Sequence, residues 1–233
     1  VRKTLSIFIL LTIFSAAVSR AQDHPYELSL SGSFTFSAKL YFDPNDPDDV
    51  LRSQYYELDN IFGAGIDVRR LIEDRHLMVG IDAEYLSTTT AVTLPVASNQ
   101  TITVHDGFSA IPVELSGYFI LPFSPDQLRI YIGGGGAVYY GTRQFTQDGV
   151  DAAAVQHSLG GGIQVVSGTE WQIGNTWGVR GEMKFRDIQF KSTVQFSPAQ
   201  AAQEPYAQLS TSPLASRIDI DGLMLSLGLV YRF

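Results

Sequence analysis

The four histidines are the natural first candidates for acid–base chemistry, and their neighbours decide what each could do. Only His157 has a serine beside it, Ser158. A serine nucleophile needs its base within hydrogen-bond reach. Adjacent residues on a strand point to opposite faces, so this pair cannot meet on one face of an extended segment. His24, His76 and His105 fall near the N-terminus, at a turn and in a loop. Cysteine is absent, which excludes thiol catalysis, disulfide frameworks and cysteine-based zinc sites. The run Gly133-Gly134-Gly135-Gly136 lacks both the Gly-Lys-Ser/Thr ending and the following helix of a phosphate loop. The sequence therefore predicts no catalytic, cofactor-binding or metal-binding residue, and no enzyme. A net charge of -8 argues against a nucleic-acid partner.

A different chemistry, the pairing of buried charges, is written into alternate positions. From Glu27 to Phe42 the even positions carry Leu28, Leu30, Phe34, Phe36, Leu40 and Phe42. The odd ones carry Glu27, serines, Thr35 and Lys39. On 177–190, Trp177, Val179, Met183 and Phe185 alternate with Arg180, Glu182, Lys184 and Arg186. Period two with one apolar and one polar face is the pattern of a strand between two environments. Further segments of this kind run over 55–69, 76–87, 109–121, 128–140 and 157–167, and the last ends at Phe233. The sequence predicts an all-β fold, an eight-stranded antiparallel up-and-down barrel.

Two barrels fit eight such strands. A soluble one turns its apolar face inward around a cavity, and a transmembrane one turns it outward to lipid. The polar face carries Lys39, Glu57, Asp59, Asp67, Arg69, Asp82, Glu84, Glu114, Arg129, Arg180, Glu182, Lys184, Arg186 and Arg232, seven of each sign. Balance is required of charges enclosed together, and not of charges in water. The polar face is therefore expected to line the lumen. There Asp82, Glu84, Glu114, Arg180, Glu182 and Lys184 are expected to form one paired network. Apolar-face aromatics agree, with Phe119, Trp177, Tyr231 and Phe233 near one rim and Phe42, Tyr85 and Tyr140 near the other.

The links between strands alternate long and short. Residues 43–54, 88–107, 141–156 and 191–217 are expected as extracellular loops, and 70–75 and 122–127 as periplasmic turns, with both termini periplasmic. The charged fraction, 17%, is below the roughly 25% of soluble domains. Arg2 and Lys3, the apolar run Leu5 to Phe14 and the end Ser19-Arg20-Ala21 read as a secretory signal peptide, residues 1–21, cut between Ala21 and Gln22. The run is too short for a membrane-spanning helix. The barrel would occupy 22–233, with no further domain.

The ending Ser226-Leu-Gly228-Leu-Val-Tyr231-Arg-Phe233 resembles the β-signal of outer-membrane proteins. With Ile111-Pro-Val-Glu-Leu and Tyr131-Ile-Gly-Gly-Gly-Gly, the chain is similar to the small outer-membrane β-barrels typified by OmpX, OmpW and the OmpA transmembrane domain. The resemblance implies that Ser226, Gly228, Tyr231 and Phe233 form the signal read by the barrel assembly machinery. It implies an outer-membrane location among lipid and lipopolysaccharide, as a monomer. The expected role is structural or surface-binding, without a cofactor. The alternatives are a narrow conduit, for which the inward Gly133, Gly135, Gly160 and Gly162 would leave a slot, and a lipid-modifying enzyme.

Overall fold

The computed structural model describes residues 25–233 apart from 73–75, 98–99, 126, 158 and 204–208. The expected signal peptide and its cut lie outside the described residues, as does Ser158. The strands are β1 (Tyr26–Tyr41), β2 (Tyr55–Leu71), β3 (Leu77–Ala97), β4 (Gln100–Ile120), β5 (Leu128–Gln147), β6 (Val150–Asp151), β7 (Ala153–His157), β8 (Leu159–Ile173), β9 (Trp177–Gln195) and β10 (Leu214–Arg232). Two short helices, α1 (Asp49–Arg52) and α2 (Pro198–Gln203), lie in connections.

Each wall strand pairs antiparallel with its neighbours in sequence, and β7 and β8 both pair with β9, as one wall strand. The ring closes where β1 pairs β10, from Glu27 opposite Arg232 to Tyr41 opposite Arg217. Tyr26 and Phe233 complete the seam: Tyr26 N donates to Phe233 O (3.1 Å) and Phe233 N to Tyr26 O (2.9 Å). This is an eight-stranded antiparallel up-and-down barrel of the transmembrane type.

Its outside carries the apolar face. Leu30, Phe62, Leu115, Ile163 and Leu227 are all more than 60% exposed, and such residues form a continuous belt. A soluble protein would bury these side chains; a bilayer solvates them. Tyr26, Phe119, Trp171, Trp177, Tyr231 and Phe233 mark the belt at the rim where β1 begins and β10 ends. Phe36, Phe62, Tyr85, Tyr140 and Phe185 mark the far rim. No helix among the described residues is long and apolar enough to cross a membrane.

Beyond the far rim the strands continue, which corrects the expected loop at 88–107. Thr88 to Ala97 of β3 stays paired with Gln100 to Phe108 of β4. The apolar alternation stops here because the outer face has left the lipid. Thr and Val sustain the strand regardless, since branched side chains suit a pleated backbone. Residues 141–147, 191–195 and 214–217, also expected in loops, are likewise strand. Asp148 (φ 48°) and Gly149 (φ 81°) form a two-residue turn between Gln147 and Val150, with both central residues left-handed as a type I′ hairpin requires.

The β1–β2 pair changes face at this same level. Thr35 and Ile61 point inward, yet so do Ala38 and Leu58, three residues on in each strand. Asn60 adopts a left-handed φ of 56°, and the register of β1 against β10 slips between Thr35 and Lys39. Lys39, Glu57 and Asp59, expected in the lumen, therefore face outward. Ala38 and Leu40, expected outside, are fully buried within. Phe42 follows the end of β1 and packs its ring on Tyr56 at 5.0 Å.

Candidate functional site

The lumen is filled in layers, and its narrow bore follows from glycine. A Cβ on Gly135 would stand 1.9 Å from the carbonyl oxygen of Leu115, and one on Gly160 would stand 2.2 Å from that of Gln189. The neighbouring backbones occupy the space side chains would need, so these glycines draw the wall inward. They do not leave the slot a conduit would use.

Nearest the rim where β1 begins and β10 ends lies a layer of four acids and four arginines: Glu27, Asp67, Glu170 and Glu182 with Arg69, Arg129, Arg180 and Arg232. Arg180 is its hub. Its guanidinium donates to both oxygens of Asp67 (2.9 Å), to Glu27 Oε2 (2.6 Å) and to Glu170 Oε2 (2.6 Å). Arg69 bridges Asp67 (2.9 Å) and Glu182 (2.7 Å) and stacks over the Tyr118 ring at 4.1 Å. Tyr131 Oη donates to Glu182 (2.5 Å). Arg129 and Arg232 each reach Glu27 and Glu170. Every buried charge here has an opposite partner, which offsets desolvation that costs several kcal/mol per ion.

The next layer holds Glu84 and Glu114 against Lys184 and Arg186. Lys184 Nζ is 2.6 Å from Glu114 Oε2, Arg186 Nε is 3.1 Å from Glu114 Oε1, and Arg186 also bonds Glu84. Tyr139 Oη donates to Glu114 (2.9 Å), Ser33 to Glu84, and Gln164 to Ser116 (2.7 Å). Of the six network residues expected from sequence, Glu84, Glu114 and Lys184 meet here. Arg180 and Glu182 belong to the layer below. Asp82 forms no ion pair among the described residues.

Above the charges sits an apolar layer that sequence reasoning missed. Ala38, Leu40, Leu58, Ile61, Leu86, Phe108, Ile188, Phe190, Ile218 and Ile220 are packed together with at most 1% exposure. The change of face in β1 and β2 brings three of them, Ala38, Leu40 and Leu58, inside. Above it, Arg143 grips Asp106 through two nitrogens, with Nε to Oδ1 at 2.8 Å. The connection after β9 then folds over this end. Ser197 and Gln200 form a capping box at the start of α2 (Ser197 N to Gln200 Oε1, 2.8 Å; Gln200 N to Ser197 Oγ, 3.2 Å), with Pro198 at the first helical position. Phe196 and Leu209 pack against Phe145 and Val150.

Asp106, Arg143 and Glu170 were not singled out from sequence, and Glu27 was placed on the polar face but not among the lumen charges. Each lies near or beyond the end of a strand as its apolar alternation defined it. Their parity with inward neighbours was the available signal.

The assembly-signal residues lie on the closing strand. Tyr231 and Phe233 face outward, with the Trp177 ring tilted against Tyr231 at 5.1 Å between centroids. Ser226 and Gly228 face inward opposite Ser33 and Ser31. Among the described residues no group of three histidine or acidic side chains is placed to hold a metal.

The barrel fold is shared by known structures. OprG, an outer membrane protein of Pseudomonas aeruginosa, superposes with a TM-score of 0.59 over 89% of this chain and 95% of that one, at 12% identity. The chain has the fold of a small outer-membrane β-barrel. Looser matches to that fold are Neisserial surface protein A (TM-score 0.46, 13% identity, 90% and 97% of the two chains) and Ail of Yersinia pestis (0.44, 11%, 89% and 97%). The outer membrane protease OmpT of Escherichia coli matches at 0.45 and 7% identity, over 93% and 99%. At these identities the small-barrel likeness concerns the fold alone. No family model and no curated protein sequence matches the chain.

Proposed function

We propose that this protein is an integral outer-membrane barrel that acts through its extracellular surface, structurally or by binding, without enzymatic chemistry and without an open channel. The observation that carries this reading is the layered lumen, where two ion-paired strata, an apolar stratum and the Asp106–Arg143 pair follow one another along the bore. Each would have to open for a solute to pass. The apolar belt and the fold shared with OprG support the outer membrane as its place. Tyr26 at the start of β1 and Phe233 meet on one rim, which we assign to the periplasm because the longest connections leave the other.

In this reading the barrel assembly machinery receives the last strand through Ser226, Gly228, Tyr231 and Phe233. The folded monomer then sits among lipid and lipopolysaccharide. Purified protein reconstituted in planar bilayers tests the closed lumen. We expect no discrete conductance steps, and steady unit conductance from the unmodified protein would replace this reading with a conduit. A heat-dependent mobility shift on a denaturing gel tests the barrel itself.

A further inference from the structure

Charge on the outer wall above the far rim is concentrated on one side of the barrel. On β3, β4 and β5 the outward residues at this level are Ser87, Thr89, Ser109, Thr142 and Gln144, with His105 and, on β6, Asp151 as exposed ionisable groups above them. On β9, β10, β1 and β2 they include Asp187, Lys191, Arg217, Asp219, Asp221, Lys39, Glu57 and Asp59.

The register stacks these charges into rungs. Asp187 stands directly opposite Asp221, Gln189 opposite Asp219, and Lys191 opposite Arg217. Like charges directly opposite on paired strands destabilise a sheet, and here a dianionic rung and a dicationic rung lie two residues either side of a mixed one. The lower rung is partly neutralised, because Lys39 Nζ lies 2.6 Å from Asp221 Oδ2. On the upper rung, Arg217 Nε lies 3.2 Å from Asp219, and its guanidinium is laid 3.8 Å over the Tyr41 ring, which fixes its direction. Tyr41 in turn packs on the exposed Tyr55, at 5.3 Å between centroids.

Beside the cationic rung is a cavity of about 240 Å³, lined by Asn45, Gln156, Lys191, Thr193 and Ser216. Amides, hydroxyls and an ammonium around one small space suit a hydroxylated ring bearing an acidic group.

We propose that this rung and cavity bind the acidic inner sugars of a lipopolysaccharide in the outer leaflet. The inference rests on the extracellular assignment of this rim made above. Height favours that ligand over a phospholipid. Phe185 ends the apolar belt on β9 and Lys191 is three outward positions further on, so at the usual rise and tilt the cations stand roughly 14 Å above the belt. A phospholipid phosphate sits at the belt edge, at the level of the Asp187–Asp221 rung that repels it. A head group of several sugars presents its acidic rings higher, where Lys191 and Arg217 meet them.

The test uses the full refolded barrel in detergent, titrated with three probes: deep-rough lipopolysaccharide, lipid A alone and phosphatidylglycerol. Native mass spectrometry reads the bound species. Unmodified protein should prefer the deep-rough form. Lys191→Gln with Arg217→Gln should weaken it by roughly tenfold or more, as expected for losing two charge-assisted contacts. Asp187→Asn should not weaken it. Equal binding of lipid A alone, or unchanged affinity in the double variant, overturns the inference while leaving the barrel reading intact. A protein showing no heat-dependent mobility shift overturns the barrel reading and this inference with it.

Discussion

Lys184 and Glu114 meet across the lumen from β9 and β4, strands that are not neighbours in the wall, with Nζ 2.6 Å from Oε2. Glu114 is also shared with Arg186, so this one carboxylate balances two cations in a space closed to solvent. Glu114→Gln should therefore destabilise the barrel by about 3–5 kcal/mol, because it leaves buried positive charge uncompensated. Combined with Lys184→Met it should cost less than the sum of the two. Combined with Arg180→Met, in the other layer, the losses should add within about 0.5 kcal/mol. Denaturant unfolding in a fixed detergent gives all five values, three single variants and two double ones. A strong coupling of Glu114 to Arg180 would mean the two layers are one.

The glycines of the bore give a paired test. Gly135→Val would drive a side chain into the Leu115 carbonyl, whereas Gly117 faces lipid with nothing within 4 Å of a built Cβ. Gly135→Val should abolish the heat-shifted band on a gel, and Gly117→Ala should keep it. Tolerance of the first substitution would show that the wall can widen.

On the closing strand, Phe233 contributes a seam hydrogen bond in each direction and an outward ring at the terminal rim. Removing it should lower insertion into assembly-machinery liposomes several-fold, more than it lowers the unfolding midpoint of barrels already folded. Tyr231→Ser with Phe233→Ser should do the same. Normal insertion of either variant would separate these residues from the assembly signal.

Protease added to sealed cells should cut within 42–54 and 196–213 and spare 121–127. It should also spare 88–93, which a loop reading would have made the most accessible site, because those residues are held in the β3–β4 ladder. Mass mapping of the fragments decides. Cutting in 121–127 would reverse the orientation.

The barrel itself was legible because lipid outside and paired charge inside impose period two on every wall strand. Arg180, Glu182, Lys184 and Arg186 announce their side of β9 without ambiguity. What could not be read was anything above the lipid. There the outer face is wetted, apolar alternation loses its cause, and Thr89 or Thr103 suits strand or loop equally well. Inward charges such as Arg143 and Asp106 then look like loop charges. The change of face in β1 and β2 was hidden for another reason. Ser37 and Lys39 continue the polar parity of Thr35 without a break, and it is the backbone at Asn60 and the register slip after Thr35 that reveal that the faces have exchanged.

That exchange has a mechanical consequence. Below Asn60 the two strands keep the spacing that lipid demands, and above it their inward positions are dealt afresh. A residue gained or lost in the upper part of β1 or β2 can be absorbed at this level without turning the side chains below from lipid to lumen. The mouth is thereby insulated from the membrane half: its lining can vary while the part that must insert stays in step. One continuous wall thus carries two separately adjustable storeys.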